Sequence, residues 1–129
     1  MYLKSFTLSL ALMFSASALA LDAEPFSNDR FAELQENGEL VLIDIFANWC
    51  PTCARQHEVL KKYREQHPDV ELHILTVDYD NDRQYVRQLR APRQSTLLLY
   101  KGETQFWYRV AETREDVIFD AINRAADFE

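Results

Sequence analysis

The segment that most constrains the fold is an apolar run, Leu40–Phe46, that leads into two closely spaced cysteines. The run is rich in β-branched residues and is apolar at neighbouring as well as alternating positions, so both faces of a strand formed here would be buried. Strands buried on both faces are typical of parallel sheets. Asp44 is the one ionisable residue inside the run. The segment therefore predicts a central strand with a carboxyl group in its interior.

The rest of the chain alternates between helical and strand-like patterns. These patterns predict helices over 29–36, 51–66, 83–90 and 114–127, a second strand over 70–78, and a hairpin of 96–100 and 104–110. A right-handed strand–helix–strand crossover makes the first two strands parallel. We therefore predict an α/β domain with a mixed sheet of about four strands, a βαβ unit followed by a ββα unit. An extra helix precedes it, and helices cover both faces.

The first 20 residues resemble a secretory signal. Lys4 is the only charge before Asp22, the segment between them is apolar, and Ala18 and Ala20 form the small-x-small pattern that a signal peptidase accepts. We predict cleavage after Ala20, a mature domain of residues 21–129, and a periplasmic location. An uncleaved membrane anchor and a buried N-terminal helix are the alternatives, although the apolar run is short for a full span.

Charge and length limit the classes of partner. The formal net charge is −7, so no excess of cations is available to neutralise the phosphates of nucleic acid or an anionic membrane. We therefore predict no nucleic-acid partner. A length of 129 residues suits one domain, which we expect to be a monomer.

The chain has two cysteines, in the motif Cys50-Pro51-Thr52-Cys53. A disulfide across so short a loop adds little stability through chain entropy. A structural zinc site needs about four ligands, and the chain has no second CxxC. We therefore predict a redox-active pair, with two inert buried cysteines as the alternative.

The motif also predicts different roles for the two thiols. Cys50 stands where a helix begins, and free N–H groups and the helix dipole favour its thiolate. Pro51 suits the first helical position because its missing N–H would have had no partner. We predict that Cys50 is the nucleophile that forms a mixed disulfide and that Cys53 is the resolving thiol. Pro51 and Thr52, between them, tune the reduction potential.

Two segments resemble the thioredoxin superfamily. Residues 41–53 are similar to the family's apolar strand, its Ala-x-Trp lead-in and its CxxC, and residues 96–103 are similar to its hairpin strand. The resemblance spans about 26–126. It implies the thioredoxin fold and an exported thiol–disulfide oxidoreductase, without a cofactor or metal site, that acts on protein thiols and disulfides of exported proteins.

The resemblance also implies roles for three further residues, Asp44, Trp49 and Ser95. In the family, the residue at Asp44 lies beneath the second cysteine and helps to move its proton; the alternative is a carboxyl group facing a polar pocket or solvent. We expected this carboxyl group to be unpaired, because Thr76 stands where the family often has lysine. Trp49 either shields the thiols or is a plain packing residue.

Ser95 occupies the place where the family has a cis-proline facing the CxxC. A cis bond before a residue other than proline costs about 2.5–4 kcal/mol, so we expect a trans Gln94–Ser95 bond. The N–H and hydroxyl of Ser95 could then bind a thiolate or a metal. We expect Ser95→Pro to change partner range or metal affinity more than stability.

The direction of exchange is weakly constrained. Pro-Thr between the cysteines matches neither typical cytosolic reductases nor strong oxidases, and the likeness to thioredoxin favours a reductase, which would need a membrane electron donor. An alternative is a low-turnover binding module or metallochaperone in which Cys50, Cys53 and His57 hold a soft metal such as copper. Otherwise we interpret His57 as an ordinary packed or exposed helix residue.

Overall fold

The computed structural model describes residues 21–129, so the predicted signal segment, residues 1–20, lies outside the described residues. In chain order, the elements of the described part are β1 Glu24–Pro25, α1 Asn28–Glu36, β2 Leu40–Phe46, α2 Pro51–Gln66, β3 Leu72–Asp78, α3 Arg83–Gln88, β4 Thr96–Lys101, β5 Thr104–Val110 and α4 Glu115–Ala126. No helix within this part of the chain is long and apolar enough to cross a membrane.

The strands form one mixed sheet in the order β1-β3-β2-β4-β5. β2 pairs in parallel with β3 and antiparallel with β4, and β5 completes the hairpin at one edge. This arrangement confirms the predicted fold class. The prediction of about four strands was one short, because β1 pairs in parallel with β3 at the other edge. A two-residue strand that contains a proline carries no periodic signal, and such prolines are tolerated at sheet edges.

Both faces of the central strand β2 are covered. Leu40 and Leu42 pack with α2 and α4, whereas Val41, Ile43 and Ile45 pack with α1 and α3. All five are 3% exposed or less, as expected for a central strand of a parallel sheet. The alternation along β2 places Asp44 on the face covered by α2 and α4, which is the face that carries the cysteines.

Candidate active site

The two cysteines lie at the start of α2, after the short loop that follows β2. Cys50 is the N-cap of α2, Pro51 occupies the first turn, and Cys50 Sγ accepts a hydrogen bond from the Cys53 N–H at 3.1 Å. Both thiols are free, and the two residues are only 5% and 1% exposed. The structure therefore holds the reduced pair beneath the surface at a helix N-terminus.

The surroundings of the two sulfurs shift the pKa values of the two thiols in opposite directions. Burial opposes ionisation of Cys50, but hydrogen bonds from the Cys53 thiol, the Ser95 hydroxyl and the N–H groups of Cys53 and Thr52 outweigh it, so the pKa of Cys50 is lowered. Burial raises the pKa of Cys53, and its hydrogen bond to Cys50 raises it further. Cys50 is therefore the thiol that ionises first, and Cys53 is the one that keeps its proton.

Ser95 lies between the two sulfurs. Its Oγ is 3.1 Å from Cys50 Sγ and 3.2 Å from Cys53 Sγ, and the residue is fully buried. No peptide bond among residues 21–129 is cis, so the Gln94–Ser95 bond is trans. A hydroxyl group has one proton to donate, and with Cys50 ionised that proton is donated to the Cys50 thiolate.

The backbone of Ser95 is fixed in a conformation that proline cannot adopt. Its φ is +65°, and its N–H donates to the carbonyl of Ile45 at 2.8 Å. Its own carbonyl accepts from the Ala111 N–H at 2.8 Å and from Gln56 Nε2 at 3.1 Å. Proline holds φ near −65° and has no N–H. We therefore expect Ser95→Pro to reduce stability in addition to any change in partner range or metal affinity.

Gln56 is a residue whose role the sequence did not reveal. Its side chain is fully buried, and Nε2 donates to the carbonyls of Ser95 and Glu112 at 3.1 and 3.0 Å. Arg114 binds the Glu112 carboxylate and is the main reason that the pKa of Glu112 falls to about 2. The signal was available, because an amide on the core face of α2, three residues after Cys53, requires buried partners.

Asp44 is fully buried and has a partner. Its Oδ2 lies 2.5 Å from Nε2 of His57, whereas Oδ1 has no hydrogen-bond partner among residues 21–129. The hydrogen bond to Asp44 is the largest influence on His57 and raises its pKa, although burial acts in the opposite direction. Two sequence interpretations are therefore wrong: His57 is not merely a packed or exposed helix residue, and the Asp44 carboxyl group is not unpaired.

The chain is similar to a known protein family over most of its length. The model of the thioredoxin family matches residues 22–124. The chain belongs to the thioredoxin family. Cys50 and Cys53 stand at the CxxC positions of this family of thiol–disulfide oxidoreductases, which confirms the resemblance deduced from sequence.

Individual proteins of known name are also similar to this chain. Thioredoxin of Chlamydia trachomatis is 32% identical over 98 residues, which cover 76% of this chain and 93% of that protein. The thiol:disulfide interchange protein DsbE of Haemophilus influenzae is 32% identical over 84 residues, which cover 61% of this chain and 44% of that protein. This chain thus matches less than half of DsbE. The crystal structure of Trxlp from Edwardsiella tarda is 32% identical, with a TM-score of 0.72 over 78% of this chain and 97% of that chain.

Trp49, at the thioredoxin-family position before the CxxC, is not a packed residue. It is 62% exposed, and its Nε1 donates a hydrogen bond to Asp80 Oδ2 at 2.8 Å. This bond ties the loop before α2 to the turn after β3. Plain packing is therefore the wrong interpretation, and the indole forms a fixed, exposed surface beside the motif.

The structure does not assemble the soft-metal group considered from sequence. Among residues 21–129, the histidine, cysteine and carboxylate side chains whose ligand atoms all lie within 4.8 Å of one another are those of Glu39, Glu71 and His73. These residues lie near the starts of β2 and β3, at the opposite end of the sheet from Cys50. His57 contacts Asp44 instead of joining the two sulfurs.

Proposed function

We propose that the protein exchanges disulfides with exported protein partners through Cys50 and Cys53. The observation that carries the proposal is the asymmetry of the two thiols: a hydrogen-bonded thiol of lowered pKa at the start of α2, and a buried thiol of raised pKa one turn along. A thiolate is the attacking species in disulfide exchange. Cys50 attacks a partner disulfide, one partner sulfur leaves as a thiolate, and Cys53 then attacks Cys50 to release the other.

The resolving step needs an acceptor for the Cys53 proton. The family resemblance assigns this role to Asp44. Its burial supports the assignment, as does its place on the face of β2 that α2 covers. His57, one helical turn after Cys53, fixes one oxygen of the carboxylate and leaves Oδ1 open. Asp44 is thus available as a base inside the site.

Asp44→Asn is expected to slow the resolving step by about 100-fold or more, because the amide cannot accept the proton and positioned bases typically contribute at least that factor. Alkylation of Cys50 should change little. Single-turnover release of a partner thiol, measured beside alkylation by iodoacetamide, separates the two steps. Equal slowing of both steps would show that Asp44 acts on the whole site and not on resolution.

Several observations support a reductase that works outside the cytoplasm. The N-terminal 20 residues have the composition of a cleaved signal. Matched relatives include both thioredoxins and proteins named for thiol:disulfide interchange. In an oxidising compartment, the disulfide form that each cycle produces must be reduced again, so a membrane electron donor belongs to the proposal. The reduction potential of the Cys50–Cys53 pair and the rate of insulin reduction test the direction. A potential as high as that of strong oxidases would reverse it.

The exported protein is expected to begin at Leu21. Cleavage after Ala20 releases the domain, which then lies in the soluble periplasmic fraction. Intact-mass measurement of the protein from that fraction checks the cleavage site, with Ala20→Arg as a variant in which cleavage should fail. Recovery of the wild-type protein from the membrane with residues 1–20 attached would support an anchored form instead.

A further inference from the structure

A histidine on α2 connects the buried carboxylate of the site to the surface. His57 Nε2 lies 2.5 Å from Asp44 Oδ2. The side chain of Asp44 has no exposed surface, whereas that of His57 is 32% exposed. His57 follows Cys53 by four residues, which places the two side chains on the same face of the helix, one turn apart. The ring of Phe46 packs beside the imidazole, with centroids 6.0 Å apart.

The charges around this contact favour an imidazolium. An ionised carboxylate is costly in an apolar interior unless a positive group faces it. The β3 residue paired with Asp44 is Thr76, which is uncharged. The ionisable groups that act on His57 are Asp44 of β2, Cys50 at the start of α2 and Glu58 on α2 itself, and each of them favours the protonated ring. His57 is therefore the positive group that faces the carboxylate.

We propose that His57 is a positioning residue for the resolving step: it holds the Asp44 carboxylate in place and, from α2, sets a positive charge against it. This inference rests on the proposed function. In the step, Cys53 Sγ bonds to Cys50 Sγ, the bond between Cys50 and the partner sulfur breaks, and the electron pair leaves with the partner thiolate. The Cys53 proton passes to Asp44 Oδ1. The exchange is balanced without an external oxidant or reductant.

Two substitutions separate charge from hydrogen bonding. His57→Gln keeps a donor but carries no charge, so the positive group that faces Asp44 is lost. In a plot of the resolving rate against pH, the rate then begins to rise at a higher pH than in the wild-type protein. At pH 7 the resolving rate falls by about tenfold or more. His57→Lys keeps a positive charge to about pH 10 and should restore the rate. A histidine with a purely structural role predicts no such rescue.

The test uses stopped-flow reaction of the reduced protein with the chromogenic disulfide of thionitrobenzoate, from pH 5 to 9. Attack by Cys50 releases the first thionitrobenzoate, and attack by Cys53 on the mixed disulfide releases the second. We expect His57→Gln to leave the first phase within about twofold and to shift the second phase. His67→Gln, the same change at the end of α2, is the matched control and should alter neither phase.

The outcomes distinguish this inference from the proposed function. If the wild-type protein showed no second phase, that result would contradict the proposed function and this inference with it. A normal wild-type second phase that His57→Gln leaves unchanged would overturn this inference alone, as would a slow His57→Gln that His57→Lys fails to rescue. Should His57→Gln not fold, NMR titration of the imidazole is the second test. Asp44→Asn should move the His57 titration to lower pH, and an unmoved titration would overturn the inference.

Discussion

Cys50→Ser is expected to abolish disulfide exchange completely, whereas Cys53→Ser should convert the protein into a trap that accumulates mixed disulfides. Serine in place of Cys50 removes the thiolate that attacks, and the protonated thiol of Cys53, 1% exposed, cannot substitute for it. Serine in place of Cys53 leaves the attack intact but removes the second sulfur. The partner then stays attached to Cys50 because no thiol within the site can displace it.

Insulin reduction and non-reducing electrophoresis of extracts from cells that express each variant measure these two outcomes. The double variant, with serine at both positions, is the control for partners that adhere without a covalent bond. Mass spectrometry of the trapped species should locate the bond at Cys50 and identify the partners. If Cys53 proved to be the more rapidly alkylated thiol, or if Cys50→Ser were the variant that trapped partners, the assigned roles would be reversed.

Ser95→Ala is expected to weaken the Cys50 thiolate, because it removes the hydroxyl group shared by both sulfurs without changing the backbone. A hydrogen bond to a charged group contributes about 1.5–3 kcal/mol, so the thiolate fraction of Cys50 should fall on the order of tenfold at neutral pH. Loss of that stabilisation disfavours the reduced form, and the reduction potential should become more negative by about 30 mV or more. Alkylation of Cys50 against pH and equilibration with glutathione measure the two quantities.

Ser95→Gly and Ser95→Pro separate the hydroxyl group from the backbone. Glycine accepts φ of +65° without strain and lacks the hydroxyl, so it should match Ser95→Ala in potential while folding at least as stably. Proline requires a different φ and loses the N–H bond to Ile45, so it should unfold at lower urea concentration. An unchanged potential in both the alanine and the glycine variant would show that the hydroxyl group does not tune the thiolate.

The sequence was sufficient for the elements that carry a long local pattern. β2 was predicted from a run of seven residues that are apolar except at Asp44, and the helix that follows it was predicted from a CxxC at a helix start. The structure has both elements as predicted. The position of Ser95 beside the sulfurs followed from the resemblance of the strand after it to the hairpin strand of the thioredoxin family. These features are local, or are fixed by a register that a strand pattern sets.

The parts that sequence missed depend on contacts between distant elements. His57 and Asp44 are 13 residues apart, and nothing in the pattern of α2 distinguishes a half-exposed histidine that binds a carboxylate from one that faces solvent. Gln56 binds the carbonyl of Ser95, 39 residues along the chain, and that of Glu112, 56 residues along the chain. The backbone of Ser95, with its positive φ, is likewise held by partners in β2, α2 and the segment after β5. The residues next to Ser95 in the sequence do not indicate these partners.

The bond between Trp49 and Asp80 has a consequence for how a client protein is recognised. Ordering a mobile aromatic side chain at an interface typically costs about 0.5–1.5 kcal/mol, and here the indole is already held before any client arrives. A client therefore meets a rigid apolar platform beside Cys50 and need not induce one. Because the indole is held in advance, the entropic cost of ordering it is absent from each encounter with a client.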